Sequence, residues 1–587
     1  MSTPDQDKNI PETSILQLGP GEGSKVEHIK ISSNYLRGQI VEELSQDTAR
    51  FAEDQVQLIK FHGMYQQEDR DARQSRKAAG AEKAYQFMIR SRIPGGSLTA
   101  EQYLVQDGLS EQYGNHTMRI TTRQSFQLHG ILKGDIHSTI HEINASLLST
   151  LSACGDVNRN VMACPAPVTN RAQAQLQEIA YKLAMHLAPK SKAYHEIWID
   201  GEKIHSSEEP EDEEKDFEPI YGSTYLPRKF KIGIAYPGDN CIDVFTQDIG
   251  LVARVEDGNL IGFTAIIGGG MGATHGKKET HPALALPFAN INVEQVLPVA
   301  EAIVTVQRDY GDRTNRRHAR MKYLVEERGI EWFRQQVEAR LGYILSDPDE
   351  VHFHEIDDHL GWHQQADGRW FLGLHIENGR LNDNEARRLK SGLRAVISQY
   401  RPNIRLTAQQ NILLLDIEDE QRAAFEANLQ EYGISTDPKA AGAYRFAMAC
   451  PALPTCGLAV AEAERALPAL VKILETNLHA LGLGQEEIGI RMTGCPNGCA
   501  RPYIGDIGFV GRSKDLYNIH LGGDQGYTRL NTLYAQNVNV KEIPDTLQPL
   551  FIYWRDKRLP AEAFGDFCHR IGIDQLKEKV TEHVSVG

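Results

Sequence analysis

Four cysteines within fifty residues carry the most pointed chemistry in this chain. They fall in "MACPALPTC" (448–456) and "TGCPNGCARP" (493–502), spaced C-x5-C, then 38 residues, then C-x3-C. A disulfide suits a reducing compartment poorly, and a dithiol redox motif would read C-x-x-C. Zinc knuckles run from C-x2-C to C-x4-C, often with histidine, and no histidine lies near these four. Four thiolates on turns rich in glycine and proline suit an iron–sulfur cluster, because small residues let backbone N–H groups approach the sulfurs. Spacing alone favours a cluster and leaves a zinc site and inert buried cysteines as alternatives.

A second chemistry is cationic. In "MRITTRQSFQLHG" (118–130), read as one strand, Met118, Ile120, Phe126 and Leu128 share a face. Arg119, Thr121, Arg123, Ser125, Gln127 and His129 share the other. "FMIRSRI" places Arg90 and Arg92 together, "PRKFKIGI" places Lys229 and Lys231 together with Arg228 opposite, and "GDVNRNV" sets Arg159 between asparagines. One such strand alone would be a solvent-facing strand. Several, in a chain of net charge −16, predict a cationic pocket for an anionic substrate, a polycarboxylate cofactor, or both. The basic stretch 305–323 reads as a helix near the same cavity. The glycine-rich "GGGMGATHGKK" (268–278) is not a nucleotide P-loop; it is either a backbone anion cradle or a plain tight turn.

The elements that must position these residues occur twice. "FMIRSRIPGGSLTAEQ" (87–102) lies over "FLGLHIENGRLNDNEA" (371–386), and "RITTRQSFQL" (119–128) over "RLTAQQNILL" (405–414). "VMACPAP" (161–167) lies over "AMACPAL" (447–453), and "IIGGGMG" (266–272) loosely over "HLGGDQG" (520–526). The order is the same in both halves, which predicts two copies of one αβ unit packed with pseudo-twofold symmetry. Only the second copy carries the full cysteine set; Cys164 stands alone where Cys450 falls. After Cys456, Leu467, Leu470, Val471 and Leu474 form the apolar stripe of a core helix.

Length and composition bound the rest. A chain of 587 residues is too long for one core, and 41% hydrophobic with 24% charged residues is ordinary for a globular protein. The acidic balance argues against nucleic acid as a partner. The absence of a signal-peptide pattern or an eighteen-residue apolar run predicts a cytoplasmic protein with no membrane span. Much of the acid sits at 206–219, read as a solvated loop. No Rossmann G-x-G-x-x-G is present, so electrons must come from elsewhere. The polar N-terminal stretch, with little periodicity before about residue 35, predicts an extended or partly disordered arm.

Taken together, "MACPALPTC" with "TGCPNGCARP" resembles the signature of the sirohaem-containing sulfite and nitrite reductases. The similarity runs from about residue 27 to about 573 through "SNYLRGQI", "FHGMYQQEDRDAR", "RSRIPGG", "GDVNRNV", "TYLPRKFK" and "FGDF". The resemblance implies that Cys450, Cys456, Cys495 and Cys499 bind a 4Fe–4S cluster, and that Cys499 also ligates the sirohaem iron. It implies that Arg90, Arg159, Lys229 and Lys231 surround the distal face. Arg119, Arg123, His129, Arg228, Gln410 and Asn497 would surround the macrocycle and its carboxylates. The fold it implies is α+β, with paired ferredoxin-like halves forming one domain and two further αβ domains binding sirohaem and cluster. The expected division is an extension at 1–80, ferredoxin-like halves at 81–150 and 346–430, a first sirohaem-binding domain at 151–345, and the cluster domain at 431–587. The activity it implies is six-electron reduction of sulfite to sulfide for sulfate assimilation and cysteine biosynthesis. An NADPH-dependent flavoprotein (alpha) subunit would supply electrons, docking in part on the N-terminal arm. A sirohaem nitrite reductase and a ferredoxin-dependent sulfite reductase are the alternatives. Two departures stand out: the insertion-like 206–219 and the unassigned Cys164.

Overall fold

The computed structural model describes residues 22–166, 171–199, 218–357 and 359–586. The acidic loop lies outside the described residues except for Glu218 and Pro219, as does the arm before residue 22. Four five-stranded sheets form two matched pairs. One sheet runs in the order Met64–Glu68, Tyr85–Arg90, Phe126–Ile131, Met118–Ile120, Arg380–Leu381; its counterpart runs Gly361–Gln364, Trp370–Leu374, Ile412–Ile417, Asn403–Leu406, Ser97–Leu98. Both are antiparallel throughout. Each takes its last short strand from the other copy, so the halves are stitched together by exchange.

The second pair has the orders Met162–Ala163, Ile232–Ala235, Ile249–Glu256, Asn259–Ile267, Leu286–Ile291 and Ala447–Ala449, Ile490–Thr493, Ile507–Ser513, Leu516–Leu521, Thr532–Asn539. In both, the first three strands are parallel and the last two pairings antiparallel. The four repeated sequence segments fall on equivalent strands of these pairs. One hydrophobic core runs from Ile29 to Ile434, and a second, from Met448 to Leu576, belongs to the cysteine-bearing unit. Leu467, Leu470, Val471 and Leu474 are buried on the helix Leu467–Ala480, as their spacing predicts. Among the described residues no helix is long and apolar enough to cross a membrane.

Three expectations change. From residue 22 to 80 the chain is not an extended arm. It forms the helices Lys25–Ser32, Ile40–Leu44, Glu53–Leu58 and Arg73–Ala78, and the strand Met64–Glu68 extends the first sheet back across residue 80. The helices are too short to show periodicity, and part of their charge is internal. Lys30 and Glu27 pair at 2.6 Å with fully buried side chains. The stretch 118–129 is a hairpin rather than one strand. Its pairings join Arg119 to Gln127 and Met118 to Leu128, odd to odd and even to even, so the two faces survive the fold-back. The polar face is buried rather than solvated: Arg119, Gln127 and His129 are 1%, 5% and 1% exposed. The basic stretch 305–323 is the end of the helix Val296–Tyr310, a connecting loop, and the start of Met321–Arg328.

Candidate cofactor site

The parallel neighbours Ala447–Ala449 and Ile490–Thr493 end side by side, and their following turns carry the cysteines. This is the carboxyl-end crevice where open αβ sheets bind ligands. The Cys450 amide donates to the Met492 carbonyl at 3.2 Å, and Cys456 is turned back by a 2.8 Å bond from its amide to the Ala452 carbonyl. The Gly494 amide lies 3.4 Å from Cys450 Sγ, and Asn497 Nδ2 lies 3.3 Å from Cys495 Sγ. Both are N–H···S contacts of the kind that tune a cluster. Gly498 has φ of +62°, and a Cβ there would lie 2.6 Å from the Met271 carbonyl oxygen. The glycine-rich loop at 268–272 therefore packs directly on the cysteine turn, where Ala273 also donates to the Pro496 carbonyl at 2.9 Å.

Cys450 and Cys495 are buried, Cys456 is half-buried and Cys499 is exposed. Burial first, and the charge of Cys499 second, push the Cys450 thiol well up, Cys456 up, and Cys495 up to about 11. Three thiols whose ionisation is held back in this way call for a strongly positive group to bind them as thiolates. A single zinc at about 2.3 Å from each sulfur would hold those sulfurs under about 4 Å apart. Among the described residues, the one grouping of metal-binding side-chain atoms within 4.8 Å of one another lies elsewhere. The N–H groups aimed at two of these four sulfurs fit an iron–sulfur cluster.

Lys229 and Lys231 lie within electrostatic reach of Cys499. Burial first, then Arg228, Arg159 and Arg320, push Lys229 down to about 7, while Cys499 pulls the other way. Lys231 is also lowered, by burial first and then by Arg123, Lys229 and Arg320, again against Cys499. Arg159 bonds the Gly155 carbonyl at 3.2 Å and Tyr65 Oη at 3.4 Å. Arg90 Nη1 reaches Cys154 Sγ at 3.1 Å. Arg228 lies 3.8 Å from Asp156. Arg123 donates to Gln247 and the Ile232 carbonyl at 2.8 and 2.9 Å but leaves its buried Nε unpartnered. Both His129 ring nitrogens and Gln410 Oε1 are also buried without a partner. These orphaned atoms and unneutralised lysines fit an anionic, carboxylate-bearing macrocycle.

Arg119, also within electrostatic reach of Cys499, spends its hydrogen bonds on the backbone behind the cysteines. Its donors are committed to the Asn378 and Ala449 carbonyls at 3.0 and 2.8 Å and to Glu464 at 3.3 Å, directly behind Cys450. Several residues with no local signal complete the site. Arg70 donates to the Cys456 and Ala459 carbonyls at 3.1 and 2.6 Å. Thr122 Oγ1 donates to the Cys499 carbonyl at 3.1 Å. Arg491 and Arg501 both pair with fully buried Asp243. Arg320, in the basic loop, pairs with Asp248 at 2.7 Å. Lys322 donates to the Gly270 and Gly272 carbonyls at 3.0 and 2.8 Å, so the glycine loop is held by a lysine.

Residues 179–345 and 442–586 match the family described as the nitrite and sulphite reductase 4Fe-4S domain. Residues 80–146 and 363–432 match the nitrite/sulfite reductase ferredoxin-like half domain. The chain belongs to the nitrite and sulphite reductase family. Within that family it is 47% identical over 560 residues to the sulfite reductase (NADPH) hemoprotein beta-component of Geobacillus thermodenitrificans, covering 95% of this chain and 97% of the relative. It is 47% identical over 550 residues to the protein of the same name from Myxococcus xanthus, covering 94% and 96%. It is 46% identical over 572 residues to the sulfite reductase (ferredoxin) of Synechococcus elongatus, covering 95% and 91%. The Mycobacterium tuberculosis NirA protein shares the fold, with TM-score 0.74, 23% identity, and coverage of 93% and 95%. The α+β architecture with ferredoxin-like halves is thus the family's own.

Proposed function

We propose that this reductase is the sirohaem and 4Fe–4S component of an assimilatory sulfite reductase, reducing sulfite to sulfide in six electrons for cysteine biosynthesis. The observation that carries the reading is the pair of neighbouring strand-end turns that bear Cys450, Cys456, Cys495 and Cys499, with N–H groups aimed at two of the sulfurs. Cys450, Cys456, Cys495 and Cys499 would hold the cluster, and Cys499 would also face the sirohaem iron. When bound, these groups would relay the donor's electrons and offer the iron at which sulfite is reduced.

The protein's own part is charge and protons. Arg90 and Arg159 clamp the sulfite oxyanion through guanidinium hydrogen bonds. Lys229 is lowered to about 7 and Lys231 is lowered by burial and its cationic neighbours, so both give up a proton more readily than a free amine and serve as donors as each S–O bond yields water. Arg123, His129, Arg228, Gln410 and Asn497 face the macrocycle and cluster rim. Arg119 acts as a positioning residue, fixing the strand that ends at Cys450. The NADPH and beta-component in the name of the bacterial relatives favour an NADPH-dependent flavoprotein donor, and the same reading puts the protein in the cytoplasm. The ferredoxin-named Synechococcus relative, at nearly equal identity, keeps ferredoxin as the second reading.

The test is the absorption spectrum of the purified chain, recorded before and after sulfite under reducing conditions. A tetrapyrrole band with a broad cluster shoulder, shifted by sulfite, is expected. A colourless protein would overturn the proposal. Turnover with a flavoprotein and NADPH, compared with reduced ferredoxin, decides the donor.

A further inference from the structure

A second set of metal-binding side chains lies away from the cluster cysteines. Sγ of Cys164 and Cys241, a carboxylate oxygen of Asp239 and a ring nitrogen of His359 are all within 4.8 Å of one another. Cys164, Cys241 and His359 are 3%, 2% and 5% exposed. Three pieces of backbone deliver them. Cys164 follows the strand Met162–Ala163, and its amide donates to the Ile234 carbonyl at 3.0 Å. Asp239 and Cys241 follow the adjacent parallel strand Ile232–Ala235. The strand Phe353–Glu355 pairs in parallel with Gly238–Asp239 and brings in His359 from the segment joining the two copies.

The side chains are aimed. Asp239 Oδ1 accepts from the Cys241 and Asp357 amides at 2.9 and 3.2 Å. That leaves Oδ2 3.8 Å from Cys164 Sγ and 3.5 Å from His359 Nε2. Asp357 accepts from the His359 amide at 2.7 Å, and its other oxygen lies 3.1 Å from His359 Nδ1. The ring is thereby fixed with Nε2, buried and without a hydrogen-bond partner, pointing at the thiols. A carboxylate on the far nitrogen of a histidine is the usual outer support of a metal-ligating imidazole.

We propose that Cys164, Asp239, Cys241 and His359 bind one zinc ion in a closed, structural site. Two thiolates, an imidazole and a carboxylate are a tetrahedral zinc set, and four protein ligands leave no position for a reacting water. Contraction from within 4.8 Å to under about 4 Å is all that zinc coordination asks of the donor atoms. The internal repeat places the site. The pairing of Met162 with Gly233 corresponds to that of Met448 with Arg491, so Cys164 falls on Cys450, Asp239 on Asn497 and Cys241 on Cys499. The same two turns that carry cluster ligands in the second copy hold a single ion in the first. The ion ties the inter-copy segment to the first αβ unit. It does so two residues before Asp243, the buried partner of Arg491 and Arg501.

The inference is independent of the proposed reaction, and its test reads metal rather than turnover. The full chain, produced with zinc in the medium and purified without chelator, is expected to hold one zinc beside its iron. X-ray absorption at the zinc edge should give sulfur neighbours at about 2.3 Å and lighter ones at about 2.0 Å. A Cys164→Ser, Cys241→Ser double variant should lose the zinc and keep its iron. The near-isosteric Asp239→Asn should lower zinc occupancy and the thermal midpoint, also with iron retained. A zinc-free wild-type chain whose two thiols alkylate readily under native conditions overturns the proposal. So does an intact mass showing a Cys164–Cys241 disulfide, iron in place of zinc at this site, or zinc retained by the double variant.

Discussion

Lys229 is the residue whose chemistry is most exposed to test. Replacing Lys229 or Lys231 with Met removes a proton donor and leaves the cysteines untouched. Each variant should keep its tetrapyrrole absorbance and lose roughly 10²- to 10⁴-fold in kcat, the usual range for a general acid. Loss of the absorbance with the activity would make these lysines cofactor anchors instead. The same burial and crowding has a sign in stability. In the cofactor-free protein Lys229 gives up its proton at about 7, whereas an unfolded lysine does so near about 10.5. Between those values the unfolded chain binds more protons, so stability should rise with pH. A thermal midpoint of the cofactor-free chain that climbs from neutral toward alkaline pH, less steeply in Lys229→Met, is expected. The two cysteine turns are legible in the sequence because short turns at strand ends, rich in glycine and proline, have local grammar. The resemblance puts Arg119 at the macrocycle and its carboxylates, and its hold on the backbone behind Cys450 has no sign in the sequence. Its acceptors lie 259 and 330 positions away, at Asn378 and Ala449, and no local pattern reports them.

The turn 494–499 works as an element because its glycines let two loops touch. Gly498→Ala would place a Cβ 2.6 Å from the Met271 carbonyl oxygen on a backbone at φ +62°. The left-handed conformation alone costs a non-glycine residue about 1–2 kcal/mol. Iron and acid-labile sulfide per chain should fall in this variant, measured against wild type prepared in parallel. Arg70→Ala, which frees the Cys456 and Ala459 carbonyls, should leave a cluster that loses iron faster to a chelator. Elements were legible where their period was. The stripe from Leu467 to Leu474 gave a helix directly. The hairpin at 118–131 hid because its pairing preserves odd and even faces, so alternation alone reads the same with or without the turn. The helices between residues 25 and 58 hid because each has eight residues or fewer, and one of them buries an ion pair where a core residue is expected.

Across the whole molecule, Asp243 joins the copies. It comes from the first αβ unit and neutralises Arg491 and Arg501 of the second, with side chains at most 6% exposed. Asp243→Ala leaves two buried guanidinium groups without their counter-charge, a change that typically costs about 3–5 kcal/mol. A lowered onset of thermal unfolding in the full chain is the expected result, with Asp243→Glu recovering part of the loss. The repeat itself was legible, since four segments recur in order, and it correctly implied matched sheets. The trade of Ser97–Leu98 for Arg380–Leu381 was not, because two-residue strands leave no periodic trace. That trade bears on how the protein is made and where it came from. A chain emerging from the ribosome cannot close its first sheet until residue 381 has been synthesised, so the amino-terminal copy must wait, incomplete along one edge, for its later twin. Reciprocal lending of an edge strand is also what two identical short chains would do about a twofold axis. The present gene then has the form of such a pair fused end to end, with one member free to keep the cluster and the other to diverge.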